Sequence, residues 1–254
     1  MRLDLDPYLF QWSFLSVRWY GFLMALSILY ATIYLYRKGR EIGLSEDFIF
    51  NLVIVAVTGG IIGARLLFVT TNFPQWFWQA PFKVLEIWKG GLSWHGALLG
   101  GFLPGWWYCR KAGVDVNRIA DWVVPGLAIG YALVRIGNIF NQEVLGRFTE
   151  FAFYQWPAQL VGSAIGMVLF IRYFYVQHRK PFPGYQFWSF VFYHQLLRGF
   201  FEETVRNNPL FVIKYIDPYL GFGFMTLTQW ITLPLMLIAW WMIKRLERVS
   251  KFSI

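Results

Sequence analysis

The run Val134-Arg-Ile-Gly-Asn-Ile-Phe-Asn-Gln-Glu-Val-Leu-Gly-Arg147 closes an apolar stretch that begins at Trp122. It gathers Arg135, Asn138, Asn141, Glu143 and Gly146 where hydrocarbon is otherwise expected. A charge in such a place costs about 3 kcal/mol or more unless it is paired, hydrated or ligand-bound. A guanidinium, two amides and a carboxylate beside glycines make a site for an anionic group; polar contacts between helices are the competing reading. Arg18, Arg65 and Arg198 also fall at or inside the ends of apolar runs. Their planar forks suit two-point contact with phosphate oxygens. Arg18 can simply snorkel to an interface, and Arg65 can pair with a carboxylate. Arg135 and Arg198 lie too deep to snorkel and need a bound anion, or Glu143 or Glu202. Arg198 and Glu202 are four apart, which permits a pair along one helix face.

Three further side chains bear chemistry. His95 sits among Gly90, Gly91, Gly96 and Gly100; an imidazole titrating near neutrality can take a proton from a thiol or hydroxyl and release it later. A hydrogen-bonded packing histidine is the alternative. His194, one turn before Arg198, is a second acid/base group or, the favoured reading, a polar neighbour. Tyr20 opens the first apolar run, either as a belt aromatic or as a donor to a substrate oxygen. The remaining histidine, His178, lies in a basic loop. Three histidines without a matching Cys/Asp cluster give no metal site. Cys109 is the single cysteine, so no internal disulfide exists, and a packed or interfacial thiol is its default role.

The elements that must hold these groups are apolar helices. Of the 254 residues, 57% are hydrophobic and 15% charged, against roughly 25% charged in soluble domains. The chain therefore reads as an all-α polytopic membrane protein. Aromatics at 21% suit two interfacial belts. The net charge of +9 is spread in short clusters between apolar runs, which fits anchors facing anionic lipid and gives no nucleic-acid partner. The first apolar run is long enough to span, so no separate signal peptide is expected. Seven transmembrane helices are expected, near residues 19–36, 48–68, 90–109, 121–140, 151–171, 184–202 and 221–243.

Basic residues gather after the first, third and fifth runs (Arg37, Lys38, Arg40; Arg110, Lys111, Arg118; Arg172, Arg179, Lys180) and in the tail (Lys244, Arg245, Arg248, Lys251). Fewer lie on the other side: Arg2, Lys83, Lys89, Arg147, Arg206 and Lys214. The positive-inside rule then puts the N-terminus outside and the C-terminus in the cytoplasm. With that orientation Tyr20, Arg65, His95, Arg135, Arg198 and Glu202 all fall in the external half of the membrane, which points to a single site. Residues 71–89 and 203–220, rich in aromatics and proline, read as interfacial segments able to form short amphipathic helices. No repeat or linker divides the chain, so residues 1–254 read as one domain.

Together these motifs resemble the bacterial phosphatidylglycerol–prolipoprotein diacylglyceryl transferases, whose central pattern is Arg-x-Gly-Asn-Phe-x-Asn-x-Glu-x-x-Gly. Here it is Arg135-Ile-Gly-Asn-Ile-Phe-Asn-Gln-Glu-Val-Leu-Gly146. Trp19-Tyr-Gly21, Gly63-Ala-Arg65, Gly90-Gly-Leu-Ser-Trp-His-Gly96, Asp121, Pro157-Ala-Gln159 and Arg198-x-x-x-Glu202 follow the same order. The resemblance implies transfer of a diacylglyceryl group from phosphatidylglycerol to the lipobox cysteine of a preprolipoprotein. A thioether would form and glycerol phosphate leave, at the outer face of the bacterial inner (cytoplasmic) membrane. By position, Arg135 and Arg198 would hold the phosphate, with His95 as the third catalytic residue. Tyr20, Arg65, Asn138, Asn141, Glu143, Gly146, His194 and Glu202 would bind substrate. No metal or organic cofactor is needed.

The sequence also departs from that family. His-Pro-x-Gln-Leu-Tyr-Glu is the usual reading before the fifth span, but here it is Trp156-Pro-Ala-Gln-Leu-Val-Gly162. The tyrosine one turn before the sixth-span arginine is His194. Only a minimal external head region fits between Gly146 and Pro157. A lipid-binding membrane protein without transferase activity and a small-anion transporter are the alternative functions; polar residues confined to one half of the membrane argue against a conduction path.

Overall fold

A computed structural model describes residues 5–12, 15–87, 91–150, 155–179 and 181–252, without the side chains of Leu15, Trp94, His95 and Phe252. Arg2, Lys89, Gly90, Lys180 and the residue 151 start of the fifth span lie outside the described residues. The chain is mostly helical. Among the described residues, four helices are long and apolar enough to cross a membrane by length and composition: α1 (Trp19–Glu41), α2 (Glu46–Asn72), α6 (Val116–Phe140) and α7 (Ala158–Gln177). Shorter or more polar helices are α3 (Trp76–Gln79), α4 (Pro81–Leu85), α5 (Trp94–Lys111), α8 (Tyr185–Leu197), α9 (Glu203–Val205) and α10 (Leu227–Phe252). A π-helical turn, Arg198–Glu202, joins α8 to α9; such turns are frequent at functional sites.

The all-α class holds, and two short strand pairs add to it. Strands β1 (Tyr8–Trp12) and β2 (Leu15–Arg18) form one antiparallel pair, and β3 (Phe211–Ile216) and β4 (Gly223–Thr226) form another. Within residues 203–220 only the short α9 is helical among the described residues; β3 follows it, and the last helix starts at Leu227 where the span was expected from 221. Turn chemistry is the cause. Asp217 Oδ1 accepts from the amides of Tyr219 (3.1 Å) and Leu220 (2.6 Å), and Gly221 takes a φ of 67° that suits glycine. The expected short helices of residues 71–89 are present as α3 and α4. The fifth long helix starts at Ala158, directly after Pro157, because residues 155 and 156 are engaged in bridging to the loop before them.

Contacts divide the chain into two compact units, Leu35–Val116 and Met1–Tyr34 with Asn117–Ile254. In the first, Ser45 caps α2 by accepting from Phe48 N at 3.2 Å, and Ser93 caps α5 by accepting from Gly96 N at 3.4 Å. These two helices lie backbone against backbone through glycine: a Cβ on Gly63 would stand 2.8 Å from Gly100 Cα. Small residues permit that approach, and dispersion then holds the pair together where lipid offers no hydrophobic drive.

The second unit has its core between α6, α7 and α8, where Val124, Ala128, Tyr131, Ile165, Leu169, Tyr173 and Phe190 cluster. Gly166 lets α7 close on α6: a Cβ there would reach Ala132 N at 2.6 Å. Polar contacts then tie α6 to the α8 region at both ends. At one end the buried carboxylate of Asp121 accepts from Gly184 N (2.7 Å) and Phe187 N (2.8 Å) and so caps α8. At the other end stand Arg135 and Glu202.

Candidate functional site

Arg135 projects from the last turns of α6 and is 8% exposed. Its Nη2 lies 2.7 Å from Glu202 Oε1 and donates to Tyr131 Oη at 3.0 Å, while Nη1 donates to Asn138 Oδ1 at 3.3 Å. Nε is buried without a partner. Glu202, in the π turn, is only 1% exposed, and its Oε2 accepts a short hydrogen bond from Tyr131. The Oε1 contact with Arg135 is close in distance but lacks hydrogen-bond geometry; we treat it as an ion pair, because full charges at this separation in a dry site attract strongly at any angle.

Four-residue spacing left the partner of Glu202 open between Arg198 and Arg135, and Glu202 stands against Arg135. A carboxylate so deeply buried requires a close countercharge and a further donor, and Arg135 with Tyr131 supplies both. Arg198 is half-buried, and no hydrogen bond or ion pair joins its guanidinium to any described residue. It stays close enough to Tyr131 and His194 for its charge to act on both, as does that of Arg135. His194 is buried, with Tyr131 edge-on at 4.6 Å and Phe190 stacked at 5.5 Å between ring centroids.

Above this centre, Asn138 passes the network outward by donating from Nδ2 to Glu143 Oε2 at 3.0 Å. Glu143 is exposed, and its carbonyl accepts from Gln159 Nε2 at 2.9 Å. Its neighbours Gln142 and Val144 both hold φ at 55°. For a β-branched residue such as Val144 this is strained backbone, of the kind kept where side chains must be aimed. Asn141 Oδ1 is buried without a partner. Gly137, lacking a side chain, admits the first turn of α1: a Cβ there would stand 3.0 Å from Tyr20 Cα. Tyr20 thereby comes within electrostatic reach of Glu143 and Arg135. Gly146 pairs with Arg206 in an isolated bridge and accepts from Gln155 Nε2 at 2.9 Å.

The structure also accounts for one departure noted above. At residue 162, where the related pattern has glutamate, this chain has Gly162, and a Cβ there would lie 2.7 Å from Arg135 Nε. The arginine stem fills the room a side chain would need. Glu202 is the countercharge of Arg135.

Thus Arg135, Asn138, Glu143 and Glu202 form one continuous network, with Arg198, His194 and Tyr20 around it. Arg65 and His95 belong to the other unit. Arg65 is buried and donates from Nε to Val84 O (2.8 Å), from Nη1 to Gly91 O (3.1 Å) and from Nη2 to Lys83 O (2.5 Å). His95 lies in the first turn of α5, and its side chain is outside the described residues. No group of three or more potential metal-ligating side chains occurs among the described residues.

Two residues with clear roles were missed from sequence. Tyr131 looks like one more apolar-run aromatic, although its place four residues before Arg135 on the same helix was a usable signal. Arg147 was counted only as a loop charge. It is 4% exposed, donates to Glu203 O (3.3 Å) and Thr204 O (2.7 Å), and stacks on Phe211 at 5.3 Å. Burial lowers its pKa, against the opposing pull of Glu203. Arg206 shifts the same way for the same leading reason.

With that geometry in view, the comparison with known proteins is direct. Residues 7–245 match the family model described as prolipoprotein diacylglyceryl transferase. The chain belongs to this family. Among its relatives is the phosphatidylglycerol–prolipoprotein diacylglyceryl transferase of Thermoanaerobacter sp. (strain X514), 56% identical across 95% of this chain and 94% of that protein. The protein of that name from Caldanaerobacter subterraneus subsp. tengcongensis is 54% identical over the same shares. That of Thermus thermophilus is 34% identical over 92% and 96%. As a member of this transferase family the chain is an enzyme of lipoprotein biosynthesis, and its apolar helices make it a multi-pass membrane protein.

Proposed function

We propose that this transferase moves the sn-1,2-diacylglyceryl group of phosphatidylglycerol onto the lipobox cysteine of a preprolipoprotein. The cysteine sulfur attacks the glyceryl carbon bearing the phosphate ester. An S–C bond forms, the C–O bond to phosphate breaks, glycerol phosphate leaves with the electron pair, and the thiol proton passes to a base. Negative charge grows on the departing oxygen, so fixed guanidinium groups in a poorly solvated place stabilise the transition state more than the ground state. Arg135 is the leading phosphate ligand. The observation that carries this reading is its buried fork with an unpartnered Nε, in a helix apolar enough to span. Arg198, whose guanidinium has no hydrogen bond or ion pair with a described residue, is the second.

In this reading Asn138, Asn141, Glu143 and Gly146 shape the lipid site, and Tyr20 donates to a substrate oxygen. Glu202 holds Arg135, His194 packs beside it, and Arg65 orders the loop that follows α2. His95 is the candidate thiol base from its chemistry alone. We place the protein in the inner membrane as a single domain of seven spans with a minimal external head, N-terminus outside and C-terminus cytoplasmic. Lys/Arg clustering supports that orientation, and it turns the Arg135 end of α6 toward the outer leaflet. Incubation with phosphatidylglycerol and a lipobox peptide, read by mass spectrometry of the peptide cysteine, tests the assignment. The diacylglyceryl mass should appear with the unaltered chain and vanish with Arg135→Ala and with Arg198→Ala. Persistence in both variants would reject the site.

A further inference from the structure

We infer that Tyr131 is a positioning residue that frees Arg135 for the headgroup phosphate by keeping Glu202 satisfied. The inference rests on the reading of Arg135 as phosphate ligand and deepens it. Arg135 faces two demands. In the structure it neutralises Glu202, its Nη2 being 2.7 Å from Oε1. A phosphate needs the same fork. A carboxylate only 1% exposed cannot be left bare, because an unpaired buried charge is strongly unfavourable. If Arg135 were its sole partner, every turn of the guanidinium toward lipid would be opposed by Glu202.

The phenol removes that conflict. Tyr131 Oη donates to Glu202 Oε2 and accepts from Arg135 Nη2 at 3.0 Å, so it stands between acid and base. Its ring carries the guanidinium carbon 4.7 Å from the centroid, and His194 stacks edge-on against the same ring. Charge therefore remains delocalised over the phenol–carboxylate pair when Arg135 engages an anion. Nη1 stays oriented by Asn138, and Nε is already without a partner. The phenol touches no reacting atom, and its effect is on headgroup binding.

The test is a cycle of Tyr131→Phe, Glu202→Gln and the double variant, in detergent micelles with phosphatidylglycerol and a lipobox peptide. Tyr131→Phe should raise KM for phosphatidylglycerol roughly tenfold while kcat stays within about twofold, the signature of lost uniform binding. In the Glu202→Gln background the same change should alter KM by less than about twofold, since no carboxylate remains to be held. An unchanged KM in Tyr131→Phe overturns the inference, and so does an equal rise in both backgrounds. Should Tyr131→Phe fail to fold, recovery in the double variant supports it; failure there overturns it, because the phenol then serves packing alone. Arg135→Ala run alongside separates the two readings. If it stays active, the phosphate assignment fails. If it is inactive while Tyr131→Phe keeps its KM, only the role of Tyr131 falls.

Discussion

Arg65 and Arg135 are both arginines buried within apolar helices, and they are used in opposite ways. Arg65 gives all three of its nitrogen positions to backbone carbonyls of the segment after α2. Those acceptors carry no full charge and cannot be exchanged for a ligand without unfolding the loop. Arg135 is held by side chains alone: an ionised acid, a phenol and an amide, with Nε to spare. Its partners are charged or polarisable and can redistribute when an anion arrives. A buried guanidinium is thus no site marker in itself. What separates a structural arginine from one able to bind is whether its partners are fixed main chain or a rearrangeable cluster.

The contrast is broken most directly by truncating each arginine. Arg135→Ala should reduce diacylglyceryl transfer by at least ~100-fold, the scale for removing a donor to developing charge. Arg135→Lys should recover little, since a point charge cannot span two oxygens. Transfer near the wild-type rate in either would erase the distinction. Arg65→Ala should instead lower the melting temperature, because three part-buried hydrogen bonds to main-chain carbonyls are lost, each contributing about 1 kcal/mol. Its KM for phosphatidylglycerol per folded molecule should not move, and a changed KM with unchanged melting would reverse the roles. Gly162→Ala is gentler. A methyl 2.7 Å from Arg135 Nε must displace the arginine stem, so KM should rise a few-fold while stability falls by roughly 1 kcal/mol. An unaffected KM would mean the stem has slack.

Much of this site was legible before any coordinates. Arg135, Asn138, Glu143 and Glu202 stood out because charge inside an apolar run is costly and therefore purposeful. Pairing was not legible. Spacing allowed Arg198–Glu202, but which arginine meets a glutamate depends on how α6 and the π turn approach, and no local periodicity encodes that. Tyr131 was hidden among many aromatics, since a phenol in a lipid-facing belt and one between two charges read alike. The four long apolar helices were plain from hydropathy. The β3–β4 hairpin was missed because Tyr, Phe and Val suit strands and interfacial helices equally, and the Asp217 turn signal was read as interfacial. Arg65 was expected to close the second span, but α2 runs on to Asn72, and the arginine's carbonyl partners lie in a segment whose path hydropathy cannot trace.

The smallest effect sharpens the comparison from the far end of the same helices. Asp121 and Glu202 are both buried carboxylates joining α6 to the α8 region. Asp121 accepts from two amides in the first turn of α8 and, like Arg65, bonds main chain. Asparagine keeps one acceptor oxygen and the side-chain shape but loses the charge that favours a helix N-terminus. Asp121→Asn should therefore cost about 1 kcal/mol and speed hydrogen exchange in the first turn of α8, with kcat and KM unchanged. Glu202→Gln keeps shape in the same way but alters the partner of Arg135, so KM should shift there. Should Asp121→Asn move KM as far as Glu202→Gln does, the two ends of the helix pair would be one coupled unit, and bonding to main chain would no longer identify a purely structural group.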